Sequence, residues 1–283
     1  MRRVFKWIGV GVGGLIGLLV IVVVVLSLVG NRRLETKRTV EAEAVPLPTD
    51  SVALARGSHL VHLICTDCHG ADLTGTPLME NTPLGTIYAA NITGLGEMRT
   101  DADLVRAIRH AVAPDGRQLA IMPAASLMYL SREDLGSVIA YLESIPRSGE
   151  PRPLPHFTFL AKVLLGAGKF KVFPAAYIDH HTPFPAMPEI GANPATGEYY
   201  SRLCYECHGA DLQGGQPPDP SSPPAPSLAI VRQWSESDFQ TLAQTGKTPE
   251  GRQLDPQYMP WSIFQRLSPD ELKGLYLYLH GRR

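Results

Sequence analysis

The sequence predicts an all-α protein, with one N-terminal membrane-crossing helix followed by two small helical units in tandem. Three observations carry this expectation: a long apolar run near the N-terminus, an internal repeat across most of the rest, and no segment with sustained strand alternation. The boundaries implied are 1–45 for an anchor and tether, 46–150 for the first unit, 151–190 for a Pro-rich linker and 191–283 for the second unit.

From Ile8 to Val29 the chain is apolar apart from Ser27 and glycines. As a helix this run is about 33 Å long, enough to cross a bilayer core. A cleaved signal peptide usually has a shorter apolar stretch ending in a small-x-small site. The nearest such site, Ala42-Glu43-Ala44, lies beyond the run and behind Arg32, Arg33, Lys37 and Arg38, so an uncleaved anchor that contacts membrane lipid is expected. Arg2, Arg3 and Lys6 flank the other end, so charge alone leaves orientation open.

The 283 residues carry a formal charge of −1, but residues 1–38 hold seven bases against one acid. The remainder has 19 bases against 26 acids, a net of about −7, which argues against nucleic acid as a partner. Apolar content of 44% supports ordinary cores, while 25 Pro and 26 Gly demand many turns.

Residues 51–145 and 191–280 carry the same landmarks in the same order. Cys68-His69-Gly70-Ala71-Asp72-Leu73 recurs as Cys207-His208-Gly209-Ala210-Asp211-Leu212, and Met122-Pro123 as Met259-Pro260. Gly116-Arg117-Gln118-Leu119 recurs as Gly251-Arg252-Gln253-Leu254. Each unit closes with a helix. Ser268-Pro269-Asp270-Glu271 has the cap, first-turn proline and acid of a capping box, with Ser131 to Asp134 a weaker copy. Leu135, Val138, Ile139 and Leu142, and likewise Leu272, Leu275, Tyr276 and Leu279, form apolar faces at helical spacing. Earlier helices are expected to start at Thr100 and Ser235, each with Asp three residues on. Between the units, Phe157 to Phe173 is apolar but interrupted by Lys162, Lys169 and Lys171, which disfavours a second span. A linker packed across both units is the preferred reading, and an interfacial segment touching lipid the alternative.

The four cysteines form two Cys-x-x-Cys-His motifs, Cys65/Cys68/His69 and Cys204/Cys207/His208, with none left over. This is the pattern for covalent attachment of c-type haem, two thioethers from one helical turn followed by an iron-binding imidazole. Two covalently bound haem c groups follow, with His69 and His208 as proximal ligands whose other ring nitrogen is expected to meet a backbone carbonyl. A redox dithiol needs no adjacent His, and a zinc ribbon places its cysteine pairs closer together. For the sixth position, Met122 and Met259 alone match between repeats, whereas Met98 and Met128 correspond to Gln233 and Gln265. His59, His62, His110, His156, His180, His181 and His280 have no repeat partner and read as structural. Arg117 and Arg252 do match, and read equally as solvated loop residues or as guanidinium partners for haem propionates.

From residue 50 onward the pattern resembles the class I cytochrome c family, with Cys-x-x-Cys-His early, Met-Pro late and closing helices bearing Tyr141-Leu142 and Tyr278-Leu279. Ala90-Asn91-Ile92-Thr93 and the Gly-Arg-Gln-Leu segments are similar to the multihaem cytochrome subunits of membrane-bound alcohol and gluconate dehydrogenases. Those subunits typically carry three haems, where two motifs occur here; the second repeat has Leu228-Ala229-Ile230 in place of the Asn-Ile-Thr element. The resemblance implies two tandem cytochrome c domains facing the periplasm from a single-pass inner-membrane anchor. It also implies a non-enzymatic single-electron carrier. The redox partner would be a dehydrogenase, a quinol-oxidising complex or a terminal oxidase. One alternative, a dihaem oxidoreductase such as a peroxidase, needs one iron with a displaceable ligand, against which the matching Met-Pro motifs argue; the other is an obligate electron-transfer subunit of a membrane dehydrogenase or oxidase complex.

Overall fold

The computed structural model describes residues 2–217 and 222–282. It opens with helix α1 (Arg2–Glu35), whose mean hydropathy reaches 3.1 over an 18-residue window and whose apolar side chains are exposed along most of its length. The helix is long and apolar enough to cross a membrane.

The segment after α1, expected to be a tether, is a packed part of the first unit. Arg38 N–H donates to the Gly116 carbonyl at 2.8 Å, and its Nε to Gln118 Oε1 at 3.0 Å. Ala42, Val45 and Leu47 pack on the first core, and Glu43 faces the buried side chains of Arg109 and His110 at 3.0 Å each.

The first unit comprises α2 (Ser51–Ile64), α3 (Thr66–His69), α4 (Leu95–Met98), α5 (Asp101–His110), α6 (Ala124–Leu127) and α7 (Arg132–Ser144). After it comes α8 (Phe159–Gly166), followed in the second unit by α9 (Pro194–Ser201), α10 (Tyr205–His208), α11 (Glu236–Thr245) and α12 (Pro269–Gly281). Their starts are where side-chain chemistry places them: Thr100 with Asp103, Ser235 with Asp238 and Ser268 with Glu271 all close reciprocal capping boxes. The expected apolar faces are inward, Leu135 and Ile139 fully buried in α7 and Leu275 in α12. In both units the first and last helices cross at a glycine. A Cβ on Gly57 would run into the Ser137 carbonyl and one on Gly197 into the Gly274 carbonyl, so only glycine permits this approach.

The all-α expectation needs one correction. Strands β1 (Pro77–Thr82), β2 (Gly85–Tyr88) and β3 (His156–Phe157) form an antiparallel sheet in the order β1-β2-β3. The strands are too short and too irregular in register to give alternation, and β3 comes from the supposed linker, so nothing local announces the pairing. The linker is correspondingly structured. Ala161, Leu165, Phe170, Val172 and Phe173 build a core with Ile87, and α8 lies against α1.

The two units meet across an interface with approximate two-fold character, in which equivalent positions exchange contacts. Thr66, inside the first cysteine motif, accepts from Arg266 at 2.7 Å; Tyr205, at the same place in the second motif, stacks edge-on against Tyr129, the counterpart of Arg266. Asp134 and Glu271, the two capping acids, both turn into this seam. Arg56 binds Asp134 through two bonds at 2.8 and 2.9 Å and Glu271 at 3.0 Å, while His59 Nε2 lies 2.9 Å from Glu271. Asp134 is one methylene shorter than Glu271 and does not reach back to its own cap. The Tyr199 hydroxyl spans the gap, accepting from Ser131 N–H at 2.9 Å and donating to Asp134 at 2.7 Å.

Candidate functional site

Each cysteine motif is a single helical turn ended by glycine in the left-handed region, Gly70 at φ +84° and Gly209 at φ +76°. The next few residues loop back, so that Gly75 N–H donates to the His69 carbonyl at 2.7 Å and Gly214 N–H to that of His208 at 2.9 Å. His69 Nδ1 lies 2.7 Å from the Ala90 carbonyl and His208 Nδ1 2.8 Å from that of Pro226. A carbonyl only accepts, so each Nδ1 carries the proton and each Nε2 keeps its lone pair. Burial lowers the pKa of both imidazoles, partly offset by these bonds, which favours the neutral ligand form.

The Asn-Ile-Thr element missing from the second repeat is replaced at the backbone level. Ile92 N–H donates to Leu73 and Leu228 N–H to Leu212, both at 2.9 Å, so the carbonyl two residues earlier reaches the histidine in each unit. Asn91 adds a local tie of its own, from its amide to the Ser148 carbonyl.

Around each motif lies an open, mainly apolar slot. The first is lined by Cys65, Cys68 and His69 together with Met122, Pro123 and Leu127. The second is lined by Cys204, Cys207 and His208 together with Met259, Pro260 and Phe264. The sequence-predicted cysteines, histidines and methionines of each repeat are thus brought to one slot. Met128, by contrast, is in the core. The donor set fits haem c: two thiols on one turn, an imidazole with its Nε2 free, a thioether in the same slot and apolar walls. Burial, reinforced by the paired thiol, pushes Cys65 and Cys204 up to about 12, the opposite of what an active redox dithiol needs.

The two arginines part company. Arg117 lines the first slot, whereas Arg252 is exposed and is not among the described residues lining the second. Arg152, which the repeat could not flag because it lies in the linker, also lines the first slot and donates to the Thr74 carbonyl at 3.0 Å. Ile64 lines the first slot and Leu203 the second, and both line a small cavity between them with Ser126 and Tyr129. His59 and His110, read as structural, are paired with the acids Glu271 and Glu43.

Comparison with known proteins agrees with this chemistry. The chain is 27% identical over 265 residues to the cytochrome c subunit of a quinone alcohol dehydrogenase from Gluconacetobacter polyoxogenes, covering 81% of this chain and 56% of that one. It is 26% identical to the fructose dehydrogenase cytochrome subunit of Gluconobacter japonicus, covering 79% and 53%. Over 96 residues it is 38% identical to the gluconate 2-dehydrogenase cytochrome c subunit of Pantoea cypripedii, covering 30% and 22%. The chain therefore spans about half the length of the longer-matching relatives. Residues 54–146 and 197–282 each match the cytochrome c family, and with most of both repeats covered the chain belongs to that family.

Proposed function

We propose that this protein is a membrane-anchored dihaem cytochrome c that relays single electrons on the periplasmic side, from a dehydrogenase partner toward the respiratory chain. The observation that carries the reading is that each slot holds one complete donor set, and that the two attachment turns abut each other's unit through Thr66–Arg266 and Tyr205–Tyr129.

When bound, haem c supplies an iron that cycles between two oxidation states and so carries one electron at a time. The chain's residues do the rest. Cys65 with Cys68, and Cys204 with Cys207, would attach the two groups covalently. His69 and His208, held in one tautomer by the Ala90 and Pro226 carbonyls, would bind the iron through Nε2. Met122 and Met259, which line the same slots, would supply soft thioethers to the metal, and thioethers favour its reduced state. A histidine and a methionine gathered in each slot would leave the bound metal no ready place for substrate, which supports a carrier rather than an enzyme. Arg117 and Arg152 at the first slot supply cationic partners for propionates; Arg252 is assigned no such contact in this reading. The buried ion pairs of Arg56 with Asp134 and Glu271 tie the unit that carries the first slot to the one that carries the second. The dehydrogenase partner is supported by the relatives, which are dehydrogenase cytochrome subunits.

The mass of the denatured chain tests the proposal. Two haem increments are expected; a single increment, or zinc in place of iron, would sink it.

A further inference from the structure

Helix α8 is short, yet it leaves Phe159 59% and Leu160 46% exposed while its other face is buried at Ala161 and Leu165. It packs against the outer end of α1 closely enough that two glycines are required. A Cβ on Gly30 would strike the Lys162 carbonyl, and one on Gly166 would strike the Leu26 carbonyl. The pairing Lys162 with Gly30 and Gly166 with Leu26 makes the two helices antiparallel. The apolar run of α1 ends at Val29, so the α8 C-terminus lies about 4–5 Å inside that end and its N-terminus a similar distance outside it. Arg33 bridges the pair by donating to the Leu165 carbonyl.

At the height of Leu26 to Arg33, lipid surrounds a membrane-spanning α1 on every side that protein does not occupy. The headgroup layer is about 5–7 Å deep on each side, so α8 fits within it and the hydrocarbon edge. We propose that α8 is an interfacial membrane segment, with Phe159 and Leu160 among the headgroups and the Ala167–Lys169 turn dipping to the hydrocarbon edge. Exposed Lys169 and Lys171 suit anionic headgroups reached by extending their long stems outward from that edge. The contact rests on the reading of α1 as an anchor and extends its lipid-facing surface. It also sets the height of the first slot, because the α8 core continues through Val172, whose carbonyl accepts from Ile121 N–H at 2.8 Å, to the slot-lining pair Ile121 and Met122.

The test uses the full haem-loaded chain in phosphatidylcholine–phosphatidylglycerol vesicles, where the native cysteines are tied up as thioethers. Single variants Leu19→Cys, Ala167→Cys, Leu160→Cys and Val52→Cys carry a nitroxide, and collision with oxygen is compared with collision with a water-soluble nickel chelate. The oxygen-to-nickel ratio should fall in the order Leu19, Ala167, Leu160, Val52, with Ala167 several-fold above Val52. If Leu19 is lipid-buried while Ala167 and Leu160 match Val52, α8 lies in water and the inference is overturned with the anchor intact. Labels at Ala167 and Leu160 shielded from both reagents mean that a protein surface covers α8, which also overturns it. A Leu19 label as open to nickel as Val52 removes the anchor reading itself, and the inference with it.

Discussion

Replacing Glu271 by glutamine keeps its size but removes the charge at the centre of the seam. The Glu271 side chain is 3% exposed, between Arg56 at 3.0 Å and His59 at 2.9 Å, with the Tyr200 hydroxyl donating to the same carboxyl. Burial alone would raise its pKa, but hydrogen bonds from His59, Tyr200 and the Ser268 N–H outweigh burial and hold it at about 2 rather than 4.5. At about 1.4 kcal/mol per unit this is worth about 3 kcal/mol. Because the folded value is depressed, the contribution is fully present above pH 4.5 and is lost as pH falls toward 2. Glu271→Gln is therefore expected to cost about 2–3 kcal/mol at neutral pH, since Arg56 keeps Asp134 as a partner, and about half as much near pH 3. Urea unfolding of the detergent-solubilised protein, followed by helix signal at both pH values, measures this. A cost below about 0.5 kcal/mol at neutral pH, or one that does not shrink in acid, refutes the reasoning.

Tyr199→Phe leaves the Ser131 N–H and the Asp134 carboxylate without their bridge and should cost about 1–3 kcal/mol in the same assay. A form beginning at Thr36 should fold in water without α1, whereas one beginning at Ala44 also loses Glu43 and leaves the 1% exposed side chains of Arg109 and His110 without their acid. The second form should be about 3–5 kcal/mol less stable than the first by urea titration. Met122→His and Met259→His should each lower one midpoint potential in a redox titration, because imidazole favours the oxidised metal more than a thioether does; unchanged potentials in both would place the ligands elsewhere. Gly57→Ala should destabilise the first unit by forcing α2 away from the Ser137 carbonyl, and a thermal melt unchanged from wild type would refute the close crossing.

Local chemistry made much of this protein readable before folding. The span of α1 follows from an unbroken apolar run, helix starts follow from Thr100, Ser235 and Ser268 with acids three residues on, and the gathering of each repeat's cysteines, histidine and methionine in one slot follows from motifs repeated at matching positions. Each of these signals is contained within a few residues or doubled by the repeat, so no long-range pairing has to be known. What only the tertiary structure decided involves partners far apart in sequence. The β2–β3 pairing joins residues about 70 apart, and the packing of Glu43 on Arg109 and His110 turns a tether into core. The same holds for the seam, where His59 finds Glu271 and Arg266 finds Thr66 across about 200 residues. Repeat matching also could not separate Arg117 from Arg252, because equal sequence does not ensure equal surroundings once one unit packs against the linker and Arg152 while the other does not. Side-chain type and spacing determine which atoms can bind; the meeting of distant surfaces determines which of them are buried, paired and held in place.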